Sequence, residues 1–322
     1  MKLAAISQLP LKIWHRNKLS ILIYHRVLSE PDPYWRGILN ADEFRTQMQL
    51  VRRLFNPVSL PKAIDGLKNN SLPPRALAIT FDDGYADNAT TALPILKELG
   101  LTATFFIATD FINGGAMWLD KTVEAIREYP DSEINLEKIG LGCSKTKTIK
   151  ERRQLLGNIL YAFRYMEIDE RNEKAAYIIE KSKPVDLRSI MLTSEQLLTM
   201  SNAGMTIGAH TKGHPNLCKI SSEHAYEEIY GSKKVLENIT NQPVDLFAYP
   251  FGKENQDFSR QHATMVQELG FKAAVTTDIG VSDNNSNLYR LPRFTPWDKS
   301  RTRFALRLAT NHTARAAAQE AH

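Results

Sequence analysis

The feature that most restricts what this chain can fold into is the regular exchange of short apolar runs with longer amphipathic stretches. Runs of four to six residues at Ile21–Tyr24, Leu77–Phe81, Ala103–Ala108, Met205–Ala209, Leu246–Tyr249 and Lys272–Thr276 predict strands. Between them apolar residues recur at helical spacing, as in Phe44, Met48, Val51 and Leu54, which share one face. The helix ends are also written out. Asn40 with Glu43, and Thr193 with Gln196, have the spacing of capping boxes. Gly100, Gly204 and Gly270 each follow a helical pattern and precede a strand, where a left-handed C-cap is expected. Pro94, inside the stretch from Asp87 to Leu99, predicts a kinked or restarted helix, because proline cannot donate to the preceding turn. Strand and helix in strict alternation imply an α/β fold with a mainly parallel sheet.

The alternation breaks between Trp118 and Pro184. That stretch is charged and helical, with Leu155, Ile159, Leu160 and Phe163 at helical spacing and no strand-like run. It reads as a helical insertion that follows a strand, placed either to overhang a site or simply to pack. The chain thus divides into an N-terminal segment 1–20, a main unit 21–310 carrying the insertion 118–184, and an Ala-rich tail 311–322 expected to fray. At 43% apolar and 24% charged residues, it has the composition of a globular enzyme rather than of a disordered chain.

The net charge of +5 is scattered, and no groove of interleaved basic and aromatic residues speaks for nucleic acid. No run reaches the roughly 20 apolar residues of a membrane span. Met1–Leu11 lacks a convincing signal-peptide core, so a cytoplasmic location is the expectation. Ile6, Leu9, Ile13 and Trp14, set among basic residues, offer a peripheral membrane contact. Cys143 and Cys218 form neither a CxxC pair nor a disulfide framework, which favours a reducing compartment; Cys218 reads as a small buried residue rather than a metal ligand.

Several polar residues sit where these strands end. Asp82 and Asp83 follow Leu77–Phe81, and Gly84 lets the chain turn so that both carboxylates stay near one pocket. Adjacent like charges repel, and they persist where a cation neutralises one and leaves the other as a base; an Asx turn or helix N-cap is the bland alternative. His210 and His214 follow Met205–Ala209. Gly213 and Pro215 favour a loop there, and two histidines on a tight loop point towards a metal. The segment Tyr249-Pro250-Phe251-Gly252 forces a turn whose backbone N–H groups can face a substrate oxygen. His25 ends the first strand, as a general acid or as a core-edge histidine. In parallel α/β barrels, reactive residues gather at these C-terminal strand ends.

Taken together, Thr80-Phe81-Asp82-Asp83-Gly84-Tyr85, His210-Thr211-Lys212-Gly213-His214 and Tyr249-Pro250-Phe251-Gly252 resemble, in family order, the three motifs of the polysaccharide deacetylases, carbohydrate esterase family four. The resemblance implies a distorted, incomplete (β/α)7-type barrel. It also implies a divalent metal, usually zinc, held by Asp83, His210 and His214, with Asp82 as general base and the Phe251 backbone N–H as oxyanion donor. Tyr249, Pro250 and Phe251 would then form the substrate wall.

The chain departs from the common pattern in two places. Its late histidines, His312 and His322, stand in unsuitable contexts, whereas Tyr24-His25 looks like the missing motif moved to the N-terminus, as in the branch of poly-N-acetylglucosamine deacetylases; His25 is therefore the expected general acid. Ala248 occupies the place of an arginine that orients the catalytic aspartate, and Arg293, in Leu291-Pro292-Arg293-Phe294, is expected to replace it in space. Phe294 and Trp297 line an acetyl pocket or pack a core edge.

The activity implied is removal of N-acetyl groups from an N-acetylhexosamine in a glycan or its precursor. Hydrolysis of a formamido sugar or cyclic imide, and a non-catalytic sugar-binding role, are the competing readings; retention of Asp82, Asp83, His210 and His214 ranks both lower. A glycosidase needs carboxylates roughly 5–10 Å apart across a sugar, which adjacent aspartates do not readily provide.

Overall fold

The computed structural model describes residues 17–184, 186–187 and 189–313. Among the described residues the main sheet has eight parallel strands, seven of which form the barrel path: β1 (Leu19–Tyr24), β2 (Ala76–Phe81), β3 (Thr104–Ile107), β4 (Thr206–Ala209), β5 (Leu246–Ala248), β6 (Ala273–Ile279) and β7 (Leu291–Arg293). The two-residue strand Asn56–Pro57 pairs off this path beside β2. The seven pair in sequence order. Beyond β7 the chain returns to β1, where Phe294 N–H donates to Ile21 O at 2.7 Å and Ile23 N–H to Phe294 O at 3.1 Å. This bridge nearly closes the sheet into the distorted seven-stranded barrel that the family resemblance implies.

Six of the seven strands coincide with the apolar runs. The seventh does not stand out in sequence, because Leu291-Pro292-Arg293 is three residues long and its proline cannot donate to a ladder. β1 and β2 are buried along their whole length, as expected of a parallel sheet covered on both faces.

The helical signals hold to the residue. Helix α1 (Ala41–Leu54) is capped reciprocally by Asn40 and Glu43, and its apolar face carries Phe44, Met48 and Val51 into the core. Pro94 falls in the first turn of Leu93–Glu98, directly after a π-helical turn over Asn88–Ala92, so that helix restarts. Thr193 and Gln196 cap Ser194–Asn202. Gly100, Gly204 and Gly270 all take left-handed φ.

Between β3 and β4 the insertion contributes three helices, α2 (Trp118–Arg127), α3 (Ile149–Phe163) and α4 (Ile168–Glu180), which share a small core of their own around Ile126, Ile159, Phe163 and Ile178. It is not purely helical. Glu133–Asn135 and Cys143–Lys145 pair as an antiparallel hairpin, too short and too polar to register as strands in the sequence.

Cys218 is exposed rather than buried, and Cys143 is exposed as well. Phe294 packs in the core while Trp297 is half exposed beneath the Arg307 guanidinium, 4.6 Å from its ring centre. Ile6, Leu9, Ile13, Trp14 and His322 lie outside the described residues. Among the described residues, no helix is long and apolar enough to cross a membrane.

Candidate active site

One cleft of about 350 Å³ opens at the C-terminal ends of the barrel strands, lined by His25, Asp82, Asp83, His210, His214, Phe251 and Thr277 from the barrel. Met117, at the start of the insertion's first helix, and Trp118, Leu119, Leu160 and Arg164 from the insertion itself form its other wall. The insertion therefore overhangs the site. No sequence motif marked those five residues; the only signal was their place in a segment that follows a strand.

Backbone strain concentrates here. Asp83 (φ 76°), Thr211 (φ 64°), His214 (φ 56°) and Phe251 (φ 58°) all occupy the left-handed region, which side-chain-bearing residues enter at a cost that surrounding structure must hold in place. At the end of β2, Asp83 and Gly84 (φ 88°) turn the chain together, and a Cβ on Gly84 would come within 3.0 Å of Ile107 Cγ2. That close approach explains the glycine. The loop His210–His214 is tied down by Glu228 of helix Ser222–Thr240, whose carboxylate accepts from Lys212 N–H at 2.9 Å and Gly213 N–H at 2.8 Å. Thr211 Oγ1 accepts from His214 N–H at 3.1 Å.

The two carboxylates are held differently. Asp82, 2% exposed, faces Arg293, which is fully buried: Arg293 Nη1 donates to Asp82 Oδ1 at 2.7 Å and Nη2 to Oδ2 at 2.6 Å. Arg293 is itself fixed by Nε donating to Thr276 O at 2.7 Å. An arginine from β7 thus stands against Asp82 where Ala248, on β5, carries none. Burial would raise the pKa of Asp82, but the charge of Arg293, then that of His210, and the bidentate hydrogen bonds bring it below the usual carboxylate value. Each Asp82 oxygen keeps a further lone pair for a second partner.

Asp83 Oδ1 lies 3.4 Å from His210 Nε2 and 3.5 Å from His214 Nε2. Burial raises its pKa, yet its bond to His210 and the nearby imidazoles hold it well below the usual range. His210 Nδ1 is 2.7 Å from Ala248 O, a contact only a protonated Nδ1 can make, and it aims Nε2 at Asp83. Burial lowers the His210 pKa, but its bond to Asp83 and the charge of Asp82 raise it above the usual value, so Nε2–H donates to Asp83 where a bound cation would take the place of that proton. Burial pushes the His214 pKa down to about 3 against the pull of Asp83, keeping the ring a neutral donor of electron pairs.

The ligand atoms of Asp83, His210 and His214 all lie within 4.8 Å of one another. One carboxylate and two imidazoles, with the cleft open beside them, fit a cation that keeps an open coordination position. The orienting contact of His210 to a backbone carbonyl is the usual outer support of such a ligand.

Phe251 brings its backbone to the cleft. Thr277 Oγ1 donates to Phe251 O at 2.6 Å, and among the described residues nothing accepts from Phe251 N–H. Tyr249 and Pro250 do not line the cleft. The Tyr249 ring stacks on Phe258 at 3.7 Å and its hydroxyl donates to Tyr289 O at 3.0 Å, so its side chain belongs to the core. His25, exposed at the end of β1, does line it, with its backbone carbonyl held by Asn88 Nδ2 at 2.9 Å.

The family model described as polysaccharide deacetylase matches residues 69–140 and 166–274, more than half the chain. The chain belongs to the polysaccharide deacetylase family. The gap in the match, residues 141–165, falls inside the insertion. YxkH of Bacillus subtilis (strain 168), a candidate polysaccharide deacetylase by name, is 23% identical over 278 residues, covering 86% of this chain and 70% of that protein.

The fold is also shared with solved structures, the deacetylase PplD among them. PplD of Streptococcus pyogenes, solved with acetate, superposes with a TM-score of 0.59 at 22% identity over 87% of this chain and 93% of that one. IcaB of Ammonifex degensii gives 0.58 at 18% identity over 91% and 97%. Membership places the chain among hydrolases of carbon–nitrogen bonds in a family that is metal-dependent, and the three-residue cluster is where this chain can hold a metal.

Proposed function

We propose that this chain is a zinc-dependent N-deacetylase acting on an N-acetylhexosamine within a glycan or its biosynthetic precursor. The observation that carries the reading is the pairing, in one cleft, of the Asp83–His210–His214 cluster with a second carboxylate, Asp82, clamped by Arg293. Zinc held by the three ligands supplies Lewis acidity and brings the pKa of water from near 16 towards about 7.

The chain's own groups divide the remaining work. Asp82, ionised by Arg293, accepts the proton of the attacking water on a carboxylate oxygen. As the new C–O bond forms, charge develops on the acetamide oxygen, and Phe251 N–H donates to it. His25 protonates the amine nitrogen as the C–N bond breaks, giving acetate and a free amino sugar. Trp118, Leu119 and Leu160 from the insertion face the acetyl methyl and limit water.

Acetate release from N-acetylglucosamine oligomers, measured with and without chelator and after zinc is restored, tests the reading. Release that stops with chelator and returns with zinc is expected. Release indifferent to chelator, or none from any N-acetylated sugar, rejects it.

A further inference from the structure

Beside the metal cleft, a second cavity of about 390 Å³ lies between α2 and α4. Trp118 lines both spaces, and Gly213 of the histidine loop reaches the second one too. Arg171, Lys121 and Asn172 supply donors to its lining, and no Asp or Glu lines it. Lys121 also borders the adjoining larger cavity of about 1000 Å³ that Glu180 and Asp186 line.

Arg171 is 4% exposed, yet among the described residues its guanidinium makes no hydrogen bond and no ion pair, and Nε is buried without a partner. It lies over the Trp118 ring, 5.2 Å from the centre. A buried cation without a counter-charge is costly, and native structures pair nearly all of them. Burial correspondingly lowers its pKa, with no acid nearby to restore it. Lys121 is exposed and has no acidic partner among the described residues. On the cleft side, Arg164 covers the Phe251 ring at 5.5 Å, and its Nε is also buried and unpartnered.

We infer that Arg171 and Lys121, with Arg164 at the cleft rim, form a subsite for an anionic group on the substrate, so that the preferred glycan is acidic rather than neutral. Carboxylate and phosphoryl oxygens share the chemistry: either accepts two N–H donors from a planar guanidinium. The inference rests on the deacetylase reading and names the substrate class for the same site. It gives the insertion a role in selecting substrate rather than in the chemical step.

The test compares three substrates: a neutral N-acetylglucosamine tetramer, an oligomer alternating N-acetylglucosamine with glucuronic acid, and N-acetylglucosamine joined by a pyrophosphate to a nucleoside or short polyprenol. Acetate release gives kcat/KM for each, and calorimetry on the Asp82→Asn protein gives binding without turnover. At least one acidic substrate should exceed the neutral one by roughly tenfold or more, the scale of one charge-assisted hydrogen bond. Which acidic substrate wins separates carboxylate from phosphoryl recognition.

Arg171→Gln should cut the acidic-to-neutral ratio about tenfold, chiefly through KM. Arg171→Lys should restore part of it. Should Arg171→Gln fail to fold, Lys121→Gln on an exposed position carries the same expectation. Equal turnover and equal binding of all three substrates, with a ratio unmoved by these variants, would overturn the subsite and leave the deacetylase standing. Preferential binding of an acidic oligomer, lost in Lys121→Gln, with no acetate from any substrate, would sustain the subsite and reject the deacetylase.

Discussion

Replacing Arg293 by glutamine removes both bonds to Asp82 and leaves a carboxylate at 2% exposure without its cation. Breaking a buried pair from one side costs about 3–5 kcal/mol, because the orphaned charge stays desolvated. At an unfolding entropy of about 2 cal/mol/K per residue, that corresponds to a Tm lower by about 5–8 °C for a chain of 322 residues. The sign of the pH dependence follows from the depressed pKa of Asp82. A carboxylate held below its unfolded value of about 3.9 stabilises the fold above that pH and loses this contribution as pH falls through the folded pKa. The Tm gap between wild type and Arg293→Gln should therefore be widest near neutrality and close in acid. In catalysis, Asp82 without Arg293 protonates at higher pH, so the acidic limb of kcat/KM should move upward. Arg293→Lys keeps the charge but not the fork, and should fall between the two. Thermal melts from pH 3 to 8 on metal-free protein, with pH–rate profiles on the zinc form, read both effects. An Arg293→Gln protein with the wild-type Tm and an unmoved acidic limb would refute the clamp.

Other expectations concern single groups. Asp82→Asn should keep metal and lose turnover, and a normal rate in that variant would remove Asp82 as the base. His25→Ala should lower kcat by the hundred- to ten-thousand-fold typical of general acid–base catalysis without loss of metal; an unchanged rate would move the proton donor elsewhere. Glu228→Ala releases the Lys212 and Gly213 amides and frees the histidine loop. Outer supports of this kind are worth about 10–100-fold in metal affinity, so zinc titration should show a weaker Kd, and an unaltered Kd would mean that the loop holds its shape without Glu228.

How much of this was legible in the sequence depended on how local the signal was. Capping boxes, C-cap glycines and buried strands are set by neighbouring residues, and Asn40, Thr193, Gly100, Gly204 and Gly270 all behave as their spacing predicts. β7 was lost because three residues with a proline carry no periodicity, although the arginine that ends it was singled out. What aims Arg293 at Asp82 is barrel closure, which brings together residues 211 positions apart. Tyr249 runs the other way: the motif resemblance set it beside Phe251 in the substrate wall, whereas its ring stacks on Phe258 and its hydroxyl bonds Tyr289 O. Trp118, Leu160 and Arg164 were illegible as site residues, since only the tertiary packing of the insertion carries them to the cleft.

The most direct test of the central claim is metal stoichiometry by elemental analysis after dialysis against limiting zinc, with acetate release measured on the same samples. One zinc per chain is predicted for wild type and for Asp82→Asn, and a near-total loss for Asp83→Ala, His210→Ala and His214→Ala, with acetate released by the wild type alone. Full zinc and full turnover in Asp83→Ala would contradict the account.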